Sequence, residues 1–267
     1  MLVATIGGLI KDYRIKKRLS QVEVSLKIGW KDTSRISKIE QGRVGKPTRE
    51  TIEKVIDALV LNEQEKGNFL FVGGYLPTEE EIEKITTVIS PKIDNWIYPA
   101  YLMDFSFRWL YTNIGTLQAL GLPKSKKNWV KNVKPNFLEF PFLPKNQLTV
   151  EIMKGEDEKN LKSFQVAQIA SFKTENEQYQ NESWYKKLIQ YLMKYDDFRK
   201  MWPKVDQSMY HKKLFDYEYK TMTILQSGKK KTLSFHLTTA KIINDPRFQV
   251  VLCYPADKDT AKIFEAP

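Results

Sequence analysis

Thr33, Ser34, Arg35, Ser37 and Lys38 surround Ile36 and Ile39 in the stretch TSRISKIEQG. Hydroxyls that donate and accept, set beside a guanidinium and an ammonium, can hydrogen-bond base edges and neutralise phosphates. They can do so only if one short helix turns the two isoleucines inward and the polar five outward. The preceding residues supply the means. Ser20 and Glu23 form an S-x-x-E capping box, which predicts a helix from Gln21. Val24 and Ile28 lie four apart, on one face of that helix. Gly29 follows, where a helix ends and the chain must turn. Asp32 can cap the next helix. Two short helices joined at a glycine, with polar residues opening the second, is the arrangement that lays a helix in the DNA major groove.

The flanks complete a small helical domain. Ile6, Leu9, Ile10 and Tyr13 recur with the spacing of one amphipathic stripe, as do Ile52, Val55, Ile56 and Leu59 behind a predicted cap at Thr48. Asn62 and Glu65 open a fifth helix that should end near Gly73 and Gly74. Charge agrees. From Lys11 to Arg49 there are twelve Lys and Arg against four acids (Asp12, Glu23, Asp32, Glu40), a local balance of +8. Such a domain gains affinity for DNA by releasing counterions from phosphates.

Residues 5–76 resemble the XRE, or lambda-repressor-like, helix-turn-helix family. The elements R-x-x-x-x-L-S-Q (Arg14 to Gln21), Gly29 and I-S-K-I-E-Q-G (Ile36 to Gly42) occur in that family's order. The stretch from Gly29 to Ile36 is one residue longer than in the phage repressors. The resemblance implies that Gln21 holds a phosphate and that Thr33, Ser34 and Lys38 face base edges. Arg43 and Lys46 would meet the backbone or a minor groove. Arg14 and Glu40 match a salt bridge inside the family's domain, so they belong to the fold, while Arg35 suits either job. Ser37 completes the outward face. A homodimer on double-stranded DNA would read two half-sites about 34 Å apart.

At 267 residues, 42% of them hydrophobic, the chain has room for about two domains with real cores. The net charge of +11 is shared by a later cluster, Lys124, Lys126, Lys127, Lys131 and Lys134, which suits a solvated face or an acidic partner. No Cys/His set has zinc spacing, and the lone Cys253 can form no internal disulfide, which fits a reducing cytoplasm. The first residues lack a signal-peptide pattern, and no apolar run approaches a membrane span. No membrane association is expected.

Thr78 with Glu81 caps a helix expected to stop near Ser90, before Pro91. From Pro99 the period becomes two: Tyr101, Met103, Phe105, Phe107, Trp109 and Tyr111, with a hairpin break at Asp104 to Ser106. Asn113 caps a helix ending at Gly121, and helices are predicted at about 158–173 and 183–201. Three strands close the chain: Phe215, Tyr217 and Tyr219 alternate on one, the turn falls at Ser227-Gly228, and Leu233, Phe235 and Leu237 follow, with His236 on the polar face. The last strand has Phe248, Val250, Leu252 and Tyr254 on one side. Two strands, then helices, then three strands suggest an antiparallel sheet with helices on one face, a PAS-like α+β order.

YPAYLMDFSFRWLYTNIGTLQALG, DDFRKMWPKV and PRFQVVLCYPAD resemble the MmyB-like transcription regulator ligand-binding domain, and VGGYLP resembles its inter-domain junction. The His-Pro step of that family is missing around Tyr210 to Phe215. The expected fold is thus multidomain: an all-α lambda-repressor-like helix-turn-helix domain at 1–76, a linker helix at 77–98, and an α+β PAS-like domain with an antiparallel sheet at 99–267. The resemblance implies a pocket for an apolar small molecule such as a fatty acid. Phe107, Trp109, Phe215, Tyr217, Tyr219 and Phe235 could line it, or could fill a dry core. No other cofactor is expected.

Catalysis finds little support. Ser208, His211 and Asp216 are near in sequence but have no nucleophile-elbow context, His236 beside Ser234 sits on a strand, and no glycine loop has phosphate-cradling spacing. The expectation is a cytoplasmic, non-enzymatic, sequence-specific DNA-binding regulator responsive to a ligand. The alternative is a repressor or antitoxin-like protein whose C-terminal domain is a dimerisation or protein-interaction module without ligand.

Overall fold

The computed structural model describes residues 5–142, 158–206, 219–226 and 229–265. Cα proximity divides the chain into two units. The first is Met1–Leu76 with Ile242–Arg247, and the second is Pro77–Lys241 with Phe248–Pro267.

In the first unit, α1 (Ile6–Lys16), α2 (Gln21–Ile28), α3 (Ser34–Glu40), α4 (Arg49–Ala58) and α5 (Glu63–Val72) start and stop at local signals. Ser20 and Glu23 close a capping box on α2, and Asn62 and Glu65 close one on α5. Gly29 takes φ +82 at the end of α2, a left-handed turn that a side chain would strain. Ile10, Val24, Ile36, Ile39, Ile52, Val55, Ile56, Leu59 and Phe69 form the buried core, with Ile6, Leu9, Tyr13 and Ile28 packed on it. Close helix approach needs Gly7: a Cβ there would sit 2.1 Å from the Ile39 carbonyl oxygen.

Lys16 and Lys17 both reach Glu65, each at 2.9 Å, tying α1 to α5. Those two ammonium groups, with the Asn62 amide, hold the Glu65 carboxyl at about 2, well below its ordinary 4.5. A depressed carboxyl stabilises the fold above its unfolded value, and that contribution is lost as pH falls from 4.5 through about 2. Glu65→Gln is therefore expected to cost about 1–2 kcal/mol at neutral pH, the exposure of Lys16 keeping the figure modest. Thermal melts of both proteins between pH 7 and pH 2 should converge at the acid end; a gap independent of pH would rule out the ionic origin.

The second unit opens with α6 (Glu79–Asp94), capped by Thr78 and Glu81. The helix does not stop before Pro91 but carries it inside. Its last turn is held by tertiary bonds: Tyr111 Oη and Lys127 Nζ both reach Asp94 at 2.7 Å, and Ile93 is buried. These offset the roughly 3 kcal/mol that an interior proline costs.

β1 (Ala100–Asp104) and β2 (Trp109–Thr112) pair antiparallel. The hairpin break, expected at Asp104 to Ser106, lies between Asp104 and Trp109 and takes Phe105 and Phe107 out of the strands. Buried Asp104 accepts from the Ser106 amide and hydroxyl and the Arg108 amide, and pairs with Arg108 Nε at 2.6 Å. This network fixes Phe107 at φ +69, a conformation costly for a bulky residue. Asn113 caps α7 (Ile114–Ala119) by accepting from the Thr116 amide.

Next come α8 (Lys126–Val133), α9 (Glu158–Glu175), α10 (Ser183–Leu192) and α11 (Asp196–Met201). The single helix expected over 183–201 is two, because Tyr195 turns to extended backbone at φ −86, ψ 121 before the acidic first turn of α11. α8, unforeseen in the pattern, carries much of the basic cluster. There Lys127 pairs with Asp94, Lys134 with Glu79, and Lys126 lies over the Trp129 ring, so these lysines fasten α8 rather than only solvate it.

β3 (Tyr219–Gln226), β4 (Lys229–Ile242) and β5 (Asp245–Pro255) complete one sheet of order β2-β1-β5-β4-β3. β1 pairs antiparallel with β5, and β3 with β4. The expected Ser227-Gly228 turn lies outside the described residues. An unforeseen helix, α12 (Lys258–Glu265), changes which side of β5 is covered. Cys253 packs with Leu233, Phe235 and Ala119 against Ile263 and Phe264. Val251 and Cys253 are buried, while Tyr254, on the side grouped with Phe248, Val250 and Leu252, is 38% exposed. Consecutive burial of Leu102, Met103 and Asp104 likewise shows that β1 is covered on both faces, not on one.

Candidate nucleic-acid interface and effector region

The interface is built on α2 and α3. Asp32 starts α3 by accepting from the Ser34 amide at 2.7 Å, so the Thr33 hydroxyl is not used as a cap. Ile36 and Ile39 are buried, and Ser34, Arg35 and Lys38 are exposed on the opposite face, with Thr33 and Ser37 half-buried beside them. Hydrogen bonds from Ser34, helped by the nearby Lys38, keep the Asp32 carboxyl below its usual range. Lys38 thus stands at the exposed end of a helix whose start is fixed by an acid and whose other face is locked in the core.

Several of the expected contact residues also have partners within the protein, Ser37 Oγ among them, accepting from Gln41 Nε2 at 2.9 Å. Gln21 Nε2 donates to Glu40 Oε2 at 2.9 Å. It joins a network in which Arg14 grips the same carboxylate twice, Nε to Oε1 at 2.6 Å and Nη2 to Oε2 at 2.9 Å, and reaches the Leu19 carbonyl. The Arg14–Glu40 pair is the salt bridge the family resemblance implies. Burial alone would raise the Glu40 carboxyl, but the bonds from Arg14 and Gln21 outweigh it and hold it low. Arg35 lies 4.7 Å over the Trp30 ring and reaches Thr51 Oγ1 at 3.5 Å, which sets it to brace α3 against α4. Lys46 Nζ sits 4.1 Å over the Tyr75 ring and donates to the Gly74 carbonyl. Arg43 is exposed in the loop after α3. Sequence reasoning missed Trp30, Thr51 and Tyr75 because each meets its cation across a fold that spacing alone does not close.

Of the six aromatic residues expected to line a pocket, Phe215 and Tyr217 lie outside the described residues. Tyr219 is described by its backbone alone, opposite His236 at the start of β3. The other three are buried but not brought together. Phe107 meets Phe172 of α9 edge to face at 5.3 Å. Trp109 packs with Tyr101, Phe137 and Phe140 beside Leu117 and Val130. Phe235 faces Phe264 of α12. A cleft of about 700 Å³ lies elsewhere, between α9, α10 and the end of α11. Apolar Tyr185, Ile189, Met193, Trp202, Pro203 and Val205 line it together with polar Lys173, Gln180, Lys186, Gln190 and Asp206. Burial pushes the Tyr185 phenol up to about 12, and lowers the Lys173 ammonium, which donates to the Trp202 and Val205 carbonyls at 2.6 and 2.7 Å.

Among the described residues no helix is long and apolar enough to cross a membrane, and no cluster of three or more His, Cys, Asp or Glu could hold a metal ion. No curated protein matches the chain. Residues 10–65 match the family described as Helix-turn-helix, a span running from the core residue Ile10 through both interface helices to the capping Glu65, and this part of the chain is an XRE-like helix-turn-helix domain of the kind found in DNA-binding transcription regulators.

Proposed function

We propose that the protein is a sequence-specific transcriptional regulator, binding its operator as a homodimer, whose second unit is a PAS-like effector domain of the MmyB type. The observation that carries the DNA reading is the exposed face of α3, Ser34 and Lys38 with Thr33 at its start, set on a helix whose inner face is fully packed. Short hydroxyls tolerate more than one base, and Lys38 can reach guanine acceptors, so each half-site gives moderate specificity that dimer symmetry sharpens.

Lys38→Ala should lower specific affinity by about 1–3 kcal/mol and change base preference. Arg43→Ala should weaken all DNA alike and reduce the salt slope by about 1. Arg43 is the cleaner backbone probe, because Lys46 also holds Gly74 and Tyr75. Fluorescence anisotropy against selected and random duplexes over a salt series separates the two. Identical behaviour of the variants would mean that α3 is not the reading helix.

The ligand reading is supported by the order two strands, helices, three strands in one antiparallel sheet, and by the cleft on α9 to α11, whose lining mixes apolar and polar side chains. A ligand preferring one arrangement of the dimer would alter the spacing of the two recognition helices. The tight ring packing of Trp109 and Phe235 favours a second reading, in which the second unit is a filled platform for dimerisation or a protein partner. Mass spectrometry of an organic extract of the purified protein decides. A stoichiometric apolar molecule supports the effector domain; an empty extract with no thermal shift across a lipid panel supports the platform.

A further inference from the structure

Asn176 joins the end of α9 to the 3-10 turn Glu177–Tyr179 and is fully buried. Its backbone is satisfied, the amide donating to the Phe172 carbonyl at 3.0 Å and the carbonyl accepting from the Tyr179 amide at 2.9 Å. Its side chain is not: neither Oδ1 nor Nδ2 has a hydrogen-bond partner among the described residues. A buried carboxamide with both poles unpaired opposes folding, and native structures seldom keep one without a use.

The surroundings are apolar and aromatic. Phe172, one turn before Asn176, stacks on Tyr185, and Tyr179, three residues after, meets Phe105 at 5.1 Å. Tyr185 also lines the cleft, as do Lys173, three residues before Asn176, and Gln180, four after it; Asn176 itself is buried and not part of that lining. We propose that the Asn176 carboxamide is the polar anchor for an apolar effector of the second unit, and that the effector's head group is a neutral carboxylic acid or a primary carboxamide. One edge of a carboxamide presents an acceptor and a donor side by side. A neutral acid or another amide returns a donor and an acceptor in the same spacing and pairs both. An ionised carboxylate offers acceptors alone and leaves Oδ1 unpaired, while an ammonium offers donors alone and leaves Nδ2 unpaired. The inference rests on the ligand-binding reading of this unit and names the chemistry of its ligand.

The test is calorimetric titration of the full chain with octanamide, octanoate at neutral pH, and octylamine. Wild type should bind octanamide most tightly, and Asn176→Leu should weaken it by about tenfold or more, the cost of one lost paired head group. Without ligand, Asn176→Leu should melt higher than wild type, because the substitution removes unpaired buried atoms. Asn176→Ala should lose the same preference for octanamide and covers the case in which leucine does not fit. Octanamide binding within about twofold of wild type in both variants would overturn the anchor while leaving the ligand reading standing. So would a wild-type preference for octanoate or octylamine. Wild-type protein that binds none of the three and yields an empty extract would overturn the ligand reading, and this proposal with it.

Discussion

Glu40→Ala is expected to destabilise the first unit by about 3–5 kcal/mol, enough to remove specific DNA binding at ordinary growth temperatures. The side chain of Glu40 is 3% exposed and that of Arg14 13%, so removing the acid leaves a guanidinium in the interior with no counter-charge. It also releases Gln21 at the start of α2 and unties the end of α3 from α1. On the proposed DNA reading, recognition depends on the angle between α2 and α3, which this network would set without touching a base. Replacing both partners, Arg14→Met with Glu40→Leu, should recover most of the lost stability, since two matched apolar side chains leave no orphaned charge. Acid should mimic the single variant. The Glu40 carboxyl is held low in the fold, so its contribution is present above the usual carboxylate range and disappears as pH falls through its depressed value. Chemical denaturation of the three proteins and a pH series on wild type check this. A Glu40→Ala protein within about 1 kcal/mol of wild type would show the pair to be peripheral.

The first unit was legible because its determinants are local. The boxes at Ser20/Glu23 and Asn62/Glu65 and the stripe Ile52, Val55, Ile56 and Leu59 each lie within one helix, and the structure has each where the pattern puts it. The Arg14–Glu40 bond spans 26 residues and was reached only by family resemblance, since no periodicity relates the two positions. The second unit was less legible where tertiary contacts overrule local signals. Pro91 reads as a stop, yet Asp94 and Ile93 beyond it are held by Tyr111, Lys127 and Asn113. Alternation in β5 groups Phe248, Val250, Leu252 and Tyr254 on one side but does not say that α12 covers Cys253 on the other. The run from Tyr101 to Tyr111 reads as one aromatic face, whereas Phe105 and Phe107 fall in the turn and leave toward α9 and its following turn. Knowing that a residue is buried does not say against what.

Asn113→Ala should have an effect of similar size on the second unit, about 3–5 kcal/mol. The capping role was readable, since an asparagine before an apolar helical pattern is a start signal. Its larger role was not. The fully buried carboxamide oxygen accepts from the Ala100 amide at 3.1 Å and the Thr116 amide at 2.9 Å. The nitrogen faces the carbonyls of Ile93, Trp96 and Tyr98 at 3.3, 2.6 and 2.7 Å. One side chain thereby joins the end of α6, the chain leading into β1, and the first turn of α7. Asn113→Ser keeps an acceptor for the Thr116 amide, but its shorter side chain with a single hydroxyl hydrogen does not replace the amide nitrogen that faces three carbonyls. It should fall between wild type and alanine, with the gap to alanine near the ~1 kcal/mol of an ordinary cap. Asn113→Asp keeps both acceptor bonds but turns a second oxygen toward three carbonyls, so it should be at least as damaging as alanine at neutral pH and partly recover in acid, where the protonated carboxyl can donate again. Denaturation of the four proteins at pH 7 and pH 4 reads the order. If serine matched wild type, the cap alone would matter, and the junction of α6, β1 and α7 would have to be held by the packing of Ile93 and Leu117 instead.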